Sequence, residues 1–567
     1  MKWGWSLACL ITSVILLSCG LLIPAYLRAV DVGVIQSAGK RGPALLGEGQ
    51  VLMAEKRLGT AQLLFQAARI AGVAGGDSLE MTANQSAKQN PIAYFWGNDS
   101  RTLSVFANDV PSDSDSRSLT DFIVQQRNRD AALAHLQDSP LPVVQELWHS
   151  RSLTNTVLFP PSQSAAGQPY DTALSICGLL LEGRHLTAGL SNNILTLASA
   201  ANRGASSQPL EQVLMDFLSL GVRFNWDQLT SFVAGIPEVG TLHQLADQAQ
   251  KAGEQLPVLF AAVQLSGNPS GVAKYTSGFA ETSLPDLSAA LRYGAGGVNS
   301  LVELQQRYYN AHWQKAVIAV NPFGGFYHSA ANLTFNEPGI ALALKWLCYL
   351  LAGMLLAAAF HYIRPAAPPL ERPLQVPGIH WFREVLFSLG FLLVVLLLSE
   401  PFLAQENLKG NFTLRLSLPT TGGAVPAGIA SIKQTVMNPV ILLTLLIFFV
   451  LQALLYLACL VKLAEIRRQL IPPRMKLKLL ENEDHLFDAG LYLGFVGTIV
   501  SLIVASLGLV KFSLMAAYSS TSFGIIFVVI FKIFHLRPAR RQLLLEAEAT
   551  SPETQVPVTP ATPVLPS

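Results

Sequence analysis

The sequence predicts an all-α protein: a polytopic helical membrane protein of about six spans with a large extracytoplasmic helical domain. Three observations lead there. Only 13% of the 567 residues are charged and 51% are hydrophobic, whereas soluble domains carry roughly 25% charge. Uncharged runs long enough to cross a hydrocarbon core of about 30 Å recur along the chain. In the long segment between the first two runs, apolar residues recur at spacings of three and four, the helical period.

The first run follows Lys2 and extends from Trp3 to Leu27. A second covers residues 339–363 with Lys345 near one end, and a third covers 384–404 with Glu400 near one end; both charges are placed to snorkel. The fourth runs from Asn438 to Val461, the fifth from Ala489 to Val510 and the sixth from Ser513 to Phe534, with Lys532 near its end. Lys511 and a few neighbours alone separate the last two, which makes them a tight helical hairpin.

Basic residues set the orientation. Lys462, Arg467, Arg468, Arg474, Lys476 and Lys478 follow the fourth run, and Arg537, Arg540 and Arg541 follow the sixth, so both segments belong in the cytoplasm. Counting back places residues 405–437 and 31–338 outside, the Pro-rich loop from Arg364 to Arg383 inside, and the amino terminus inside. The expected organisation is a membrane anchor (1–30), the extracytoplasmic helical domain (31–338), a two-span hairpin (339–404), an extracytoplasmic loop (405–437), a three-span module (438–545) and a disordered, Pro-rich tail (546–567). The first run also reads as a cleaved signal, and Leu16, Leu17, Ser18, Cys19 and Gly20 resemble a lipobox. Its apolar length through Tyr26 favours an uncleaved anchor.

Of five cysteines, four fall in the runs, which leaves Cys177 as a lone thiol in the outer domain, read as a small buried apolar residue. Within that domain RLGTAQLLFQAARIAG and PLEQVLMDFLSLG each put one apolar stripe inward. LPVLFAAV at Leu256 matches LPDLSAAL at Leu284, a 28-residue repeat of helical pairs. Stacked pairs would make a solenoid; an irregular helical domain is the other reading. Asn98 to Ser118 and Pro160 to Gln168 read as loops. The ten histidines show no ligand spacing, and no HExxH, GxSxG, CxxC pair or phosphate-binding loop occurs. No enzyme, metal or cofactor is expected, and a net charge of +2 without a basic stripe excludes the footprint of a nucleic-acid binder.

The final hairpin carries the strongest pattern. Gly494, Gly497, Thr498, Ser501, Ala505 and Gly508 fall on one stripe of the fifth run; Ala517, Ser520, Thr521 and Gly524 do the same on the sixth. Small residues let helices approach closely, and hydroxyls bond across the contact or line a narrow wet path. Gly494, Gly497 and Thr498 in GFVGTIVSLI, with Ala517, Thr521 and Gly524 in AAYSSTSFGI, resemble the paired motifs of the MotA/TolQ/ExbB proton-channel family. The resemblance covers residues 438–545. Ala516 stands where that family often has an acid, Ser501 where it has a second Gly, and Ile530 where it has a Pro.

The resemblance implies pore-lining roles for Thr498, Ser501, Ser520 and Thr521, and helix packing at Gly494, Gly497, Gly508, Ala517 and Gly524. It implies a bacterial inner-membrane ring of about five copies around an ExbD/TolR-like single-span partner that brings the titrating carboxylate. The outer domain would then contact an envelope protein. The alternative is a non-conducting scaffold or sensor that keeps the same helix packing.

Overall fold

The structure, a computed structural model, describes residues 2–107, 109–110, 118–164, 167–310, 323–363, 379–400, 439–506 and 514–549. The expected loop at 405–437, most of the Pro-rich loop and the tail past Ala549 lie outside them. Among the described residues the chain is helical apart from turns and one parallel pair of three-residue strands, β1 (Ala29–Asp31) and β2 (Arg307–Tyr309). It divides into two compact units, one of Met1–Leu21 with Ala343–Ser567 and one of Leu22–Leu342.

The Leu22–Leu342 unit is built round the helix Leu58–Ala71. Ala61, Leu64, Phe65 and Ala68, its predicted stripe, are fully buried. So are Thr60, Ala67 and Ala71 on other sides, which makes this a central helix rather than an amphipathic surface one. Gly72, at φ +70°, ends it by turning its N–H back to the carbonyls of Ala68 and Arg69, a left-handed cap that suits glycine. Of the second predicted stripe, Val213, Leu214 and Phe217 of the helix Gln208–Arg223 are fully buried, whereas Leu218 is half-buried against the edge of the core.

The 28-residue repeat corresponds to two helix pairs, Leu256–Ser266 with Pro269–Gly278 and Ser283–Leu291 with Gly294–Leu304. They do not continue as an open stack. The helix Leu58–Ala71 packs against Leu256–Ser266 and Ser283–Leu291 as well as against its sequence neighbours, and Val32–Gly39 packs against Gly294–Leu304 and Phe323–Asn336. In a solenoid each repeat touches only its neighbours; here β1 on β2 and a single apolar core close the unit on itself. The segment after Asn98 also departs from a plain loop, because Asp99 accepts from the Thr102 N–H and caps a short helix, Ser100–Val105.

Buried carboxylates tie down what the helices leave irregular. Asp227 pairs with Arg57 at 3.2 Å and accepts from the Thr60 N–H at 2.8 Å. Burial works to raise Asp99, but hydrogen bonds from His185, Thr102 and the Trp226 indole outweigh it and hold the carboxyl well below the usual range. Cys177 is fully buried, and burial pushes its thiol up, so it is an inert core residue.

Helices occupy all six predicted segments of the other unit: α1 (Lys2–Leu22), α2 (Pro338–Ile363), α3 (Ile379–Ser399), α4 (Pro439–Arg468), α5 (Ala489–Ser506) and α6 (Leu514–Phe531). Three stretches, not six, are long and apolar enough among the described residues to cross a membrane: Gly4–Leu22, Pro338–Phe360 and Tyr518–Glu548. Two further apolar helical stretches, Phe387–Leu396 and Ala489–Ile499, fall within α3 and α5, and α4 carries Lys462, Glu465, Arg467 and Arg468 in its last two turns, past the predicted end of the fourth run at Val461. The last stretch outruns its predicted end at Phe534, because α6 continues through a π-turn, Lys532–Leu536, into the helix Arg537–Ala549.

Hydroxyls stitch these helices together, Ser6 donating to Ala359 O at 3.0 Å and Ser13 to Ala352 O at 2.7 Å. Lys345 and Glu400 do not snorkel apart. Their charged ends lie 3.8 Å from each other with 1% and 3% of their side chains exposed, since a lone charge in apolar surroundings costs far more than a paired one.

Glu211 gives the first test. It is fully buried, and its carboxylate accepts from the Val157, Leu158 and Phe159 N–H groups and from the Ser207 hydroxyl. Burial works to raise it, but these bonds prevail and lower its pKa. Such a carboxylate stabilises the fold above an unfolded pKa of about 4.3, and the contribution is lost as pH falls through the lower folded value. Glu211→Gln should cost about 1–3 kcal/mol near neutrality, with the gap to wild type shrinking on acidification. Unfolding followed by circular dichroism over a pH series checks this; a pH-independent gap contradicts it.

Candidate functional site

Two glycines set the distance between α5 and α6. A Cβ at Gly494 would lie 2.8 Å from the Ser520 carbonyl oxygen and 3.0 Å from the Thr521 Cα, and one at Gly524 would lie 2.5 Å from the Gly490 carbonyl oxygen. These neighbours are backbone, so the helices would have to part. Gly497 is more forgiving, because its nearest neighbour is the Ser520 hydroxyl at 3.2 Å.

At that contact the structure brings together three of the four predicted hydroxyls. Thr498 Oγ1 lies 2.5 Å from Thr521 Oγ1 and 3.2 Å from Ser520 Oγ. All three also reach the Gly494 carbonyl oxygen, at 3.1 Å from Thr498, 3.0 Å from Ser520 and 3.2 Å from Thr521. A carbonyl oxygen has two lone pairs and each hydroxyl one proton, so the three cannot all donate to Gly494 at once. The proton left over must find another acceptor, and the neighbouring hydroxyls, at 2.5 and 3.2 Å from Thr498 Oγ1, are within reach. Thr498 and Ser520 are closed inside the hairpin, whereas Thr521 keeps part of its surface open. Gly508 lies outside the described residues, and for Ser501 and Ala517 the helical backbone alone is described.

The stripe pattern does not reveal the third helix of the site. Gln452 of α4, 1% exposed, donates from Nε2 to the Gly490 carbonyl at 3.0 Å, one turn of α5 from the hydroxyls. One turn farther along α4, the Tyr456 hydroxyl lies 2.7 Å from His535 Nε2. At the end of the hairpin where α5 begins, Lys532 pairs with Asp488 at 2.7 Å and Arg540 with Asp484 at 3.1 Å. Asp488 and Lys532, at the ends of two neighbouring helices, are thus partners.

The Leu22–Leu342 unit offers a second cluster. A groove of about 490 Å3 is lined by Asn193, Thr196, Leu197, Gln212, Val239 and His243. His243 Nδ1 lies 3.0 Å from Asp216, whose pKa burial raises against the pull of that imidazole. Among the described residues no three His, Cys, Asp or Glu side chains gather as a metal site requires.

No family model, curated protein or solved structure matches the chain.

The glycine geometry ranks three substitutions. Gly494→Ala and Gly524→Ala should each destabilise the hairpin by about 1–3 kcal/mol, the usual cost of overpacking, and Gly497→Ala by clearly less. Thermal stability of the purified variants in detergent measures the order; an equal effect at all three positions would contradict the close-contact reading.

Proposed function

We propose that residues 438–545 form a proton-channel-like module of the MotA/TolQ/ExbB type in a bacterial inner membrane. The observation that carries the reading is the hydroxyl cluster: Thr498, Ser520 and Thr521 all reach one carbonyl, Thr498 also reaches the other two hydroxyls, and Thr521 keeps an open side. A chain of groups that both donate and accept is what proton passage through apolar helices needs. The mobile proton would arrive on the carboxylate of an ExbD/TolR-like single-span partner, held in a ring of about five copies of this chain. The proposed topology has six spans, with residues 31–338 on the extracytoplasmic side and the carboxyl terminus in the cytoplasm, as the basic residues after α4 and α6 favour. The outer unit would pass the resulting movement to an envelope protein.

A second reading rests on the burial of Thr498 and Ser520 inside a single hairpin. Hydroxyls satisfied within one chain also serve a scaffold that packs helices and conducts nothing. Valine in place of threonine separates the two, since it keeps the shape and removes the proton. Under the channel reading, Thr498→Val or Thr521→Val should lower proton entry in cells by about tenfold or more, equivalent to roughly 1.4 kcal/mol or above in barrier, at unchanged protein level in the membrane. Cytoplasmic pH reported by a fluorescent indicator measures it. Undiminished entry in both variants would favour the scaffold.

A further inference from the structure

Gln452 leaves one half of its amide unused. The Gly490 carbonyl can only accept, so Nε2 must face it and the orientation of the amide follows. Its Oε1 then has no hydrogen-bond partner among the described residues, although the side chain is 1% exposed. A buried acceptor in an apolar helix bundle is costly unless a donor meets it. Gly490 stands beside Oε1, and Gln452, Tyr456 and Gly490 border a half-open cavity of about 10 Å3 with Phe487, Phe527 and Val528 among its other walls. The missing side chain of Gly490 keeps it open, since a Cβ there would stand 2.9 Å from Oε1 and 3.0 Å from Val528 Cγ2.

We propose that this cavity is a binding site for one ordered water, which donates to Gln452 Oε1 and takes the Tyr456 hydroxyl as a second partner. The size admits a single water, and a polar lining is what separates hydrated cavities from dry ones. A cation is disfavoured, because the walls are aromatic and aliphatic and contribute no carboxylate to compensate the charge. The site continues a polar line through the module. Gly490 is one turn from Gly494, where the hydroxyls gather, and Tyr456 carries the line on to His535 at 2.7 Å. The water itself is independent of conduction; its role as the next station of a proton route rests on the proposed function.

The test uses the full-length chain in lipid bilayers with isotope-labelled glutamine side chains, and water is the probe. Solid-state NMR reads magnetisation transfer from water protons to the Gln452 amide, which Gln452→Leu identifies by its disappearance. Transfer is expected in the wild type, and its loss is expected when the cavity is filled from either wall, by Gly490→Ala or by Val528→Ile. The second variant adds its methylene from α6, so a folding failure of one leaves the other informative. No transfer in the wild type, or transfer unchanged in both variants, would overturn the site. Proton entry measured alongside distinguishes the two claims. Water present without proton entry in the wild type would remove the channel reading and leave the site standing; proton entry without a bound water would overturn the site alone.

Discussion

The contact of α5 on α6 decides what else this module can do. Where Gly494 meets the backbone at Ser520 and Thr521, and Gly524 meets the Gly490 carbonyl, the helices are too close for any side chain to stand between them. That closeness brings the hydroxyls of Thr498, Ser520 and Thr521 within hydrogen-bond distance of one carbonyl. It also places the Gly490 carbonyl against α4, where Gln452 can reach it. In apolar surroundings helices gain little from hydrophobic burial against one another, so van der Waals contact and hydroxyl bonds hold them. The same groups therefore serve cohesion and supply the polar line.

Among the described residues of the membrane-type unit, several charges are paired. Lys345 meets Glu400, Lys532 meets Asp488 and Arg540 meets Asp484, each pair joining segments far apart in sequence. The Leu22–Leu342 unit adds a further device. It has an apolar core large enough to hold a wholly buried central helix, and it uses buried carboxylates, Glu211 and the Arg57-paired Asp227 among them, to satisfy backbone groups that its short helices leave over.

What was legible in the sequence is what depends on neighbours along the chain. Apolar runs and three-four spacing locate the helices, and the alignment of Gly494, Thr498, Ser520 and Thr521 on two stripes anticipates the hydroxyl cluster. What was not legible depends on partners distant in sequence. Gln452 is a polar residue flanked by apolar ones, and its partner is a carbonyl 38 residues away; the signal for it in the sequence is Tyr456, polar and one turn on. Lys345 and Glu400 read as snorkelling boundary charges for the same reason, although they pair. The helical repeat suggested an open stack because local similarity carries no information on Leu58–Ala71 returning to pack against both repeat units.

Whether the polar line belongs to a channel turns on assembly, because one hairpin encloses its own hydroxyls and a pore needs several. The most direct measurement is native mass spectrometry of the tagged full-length protein, extracted from membranes in mild detergent together with whatever binds it. The account predicts a ring of about five chains, a cyclic homo-oligomer, around a small single-span protein with a carboxylate in its membrane segment. A lone monomer, or a complex with envelope proteins and no such partner, would contradict it and leave the hydroxyl cluster as helix packing.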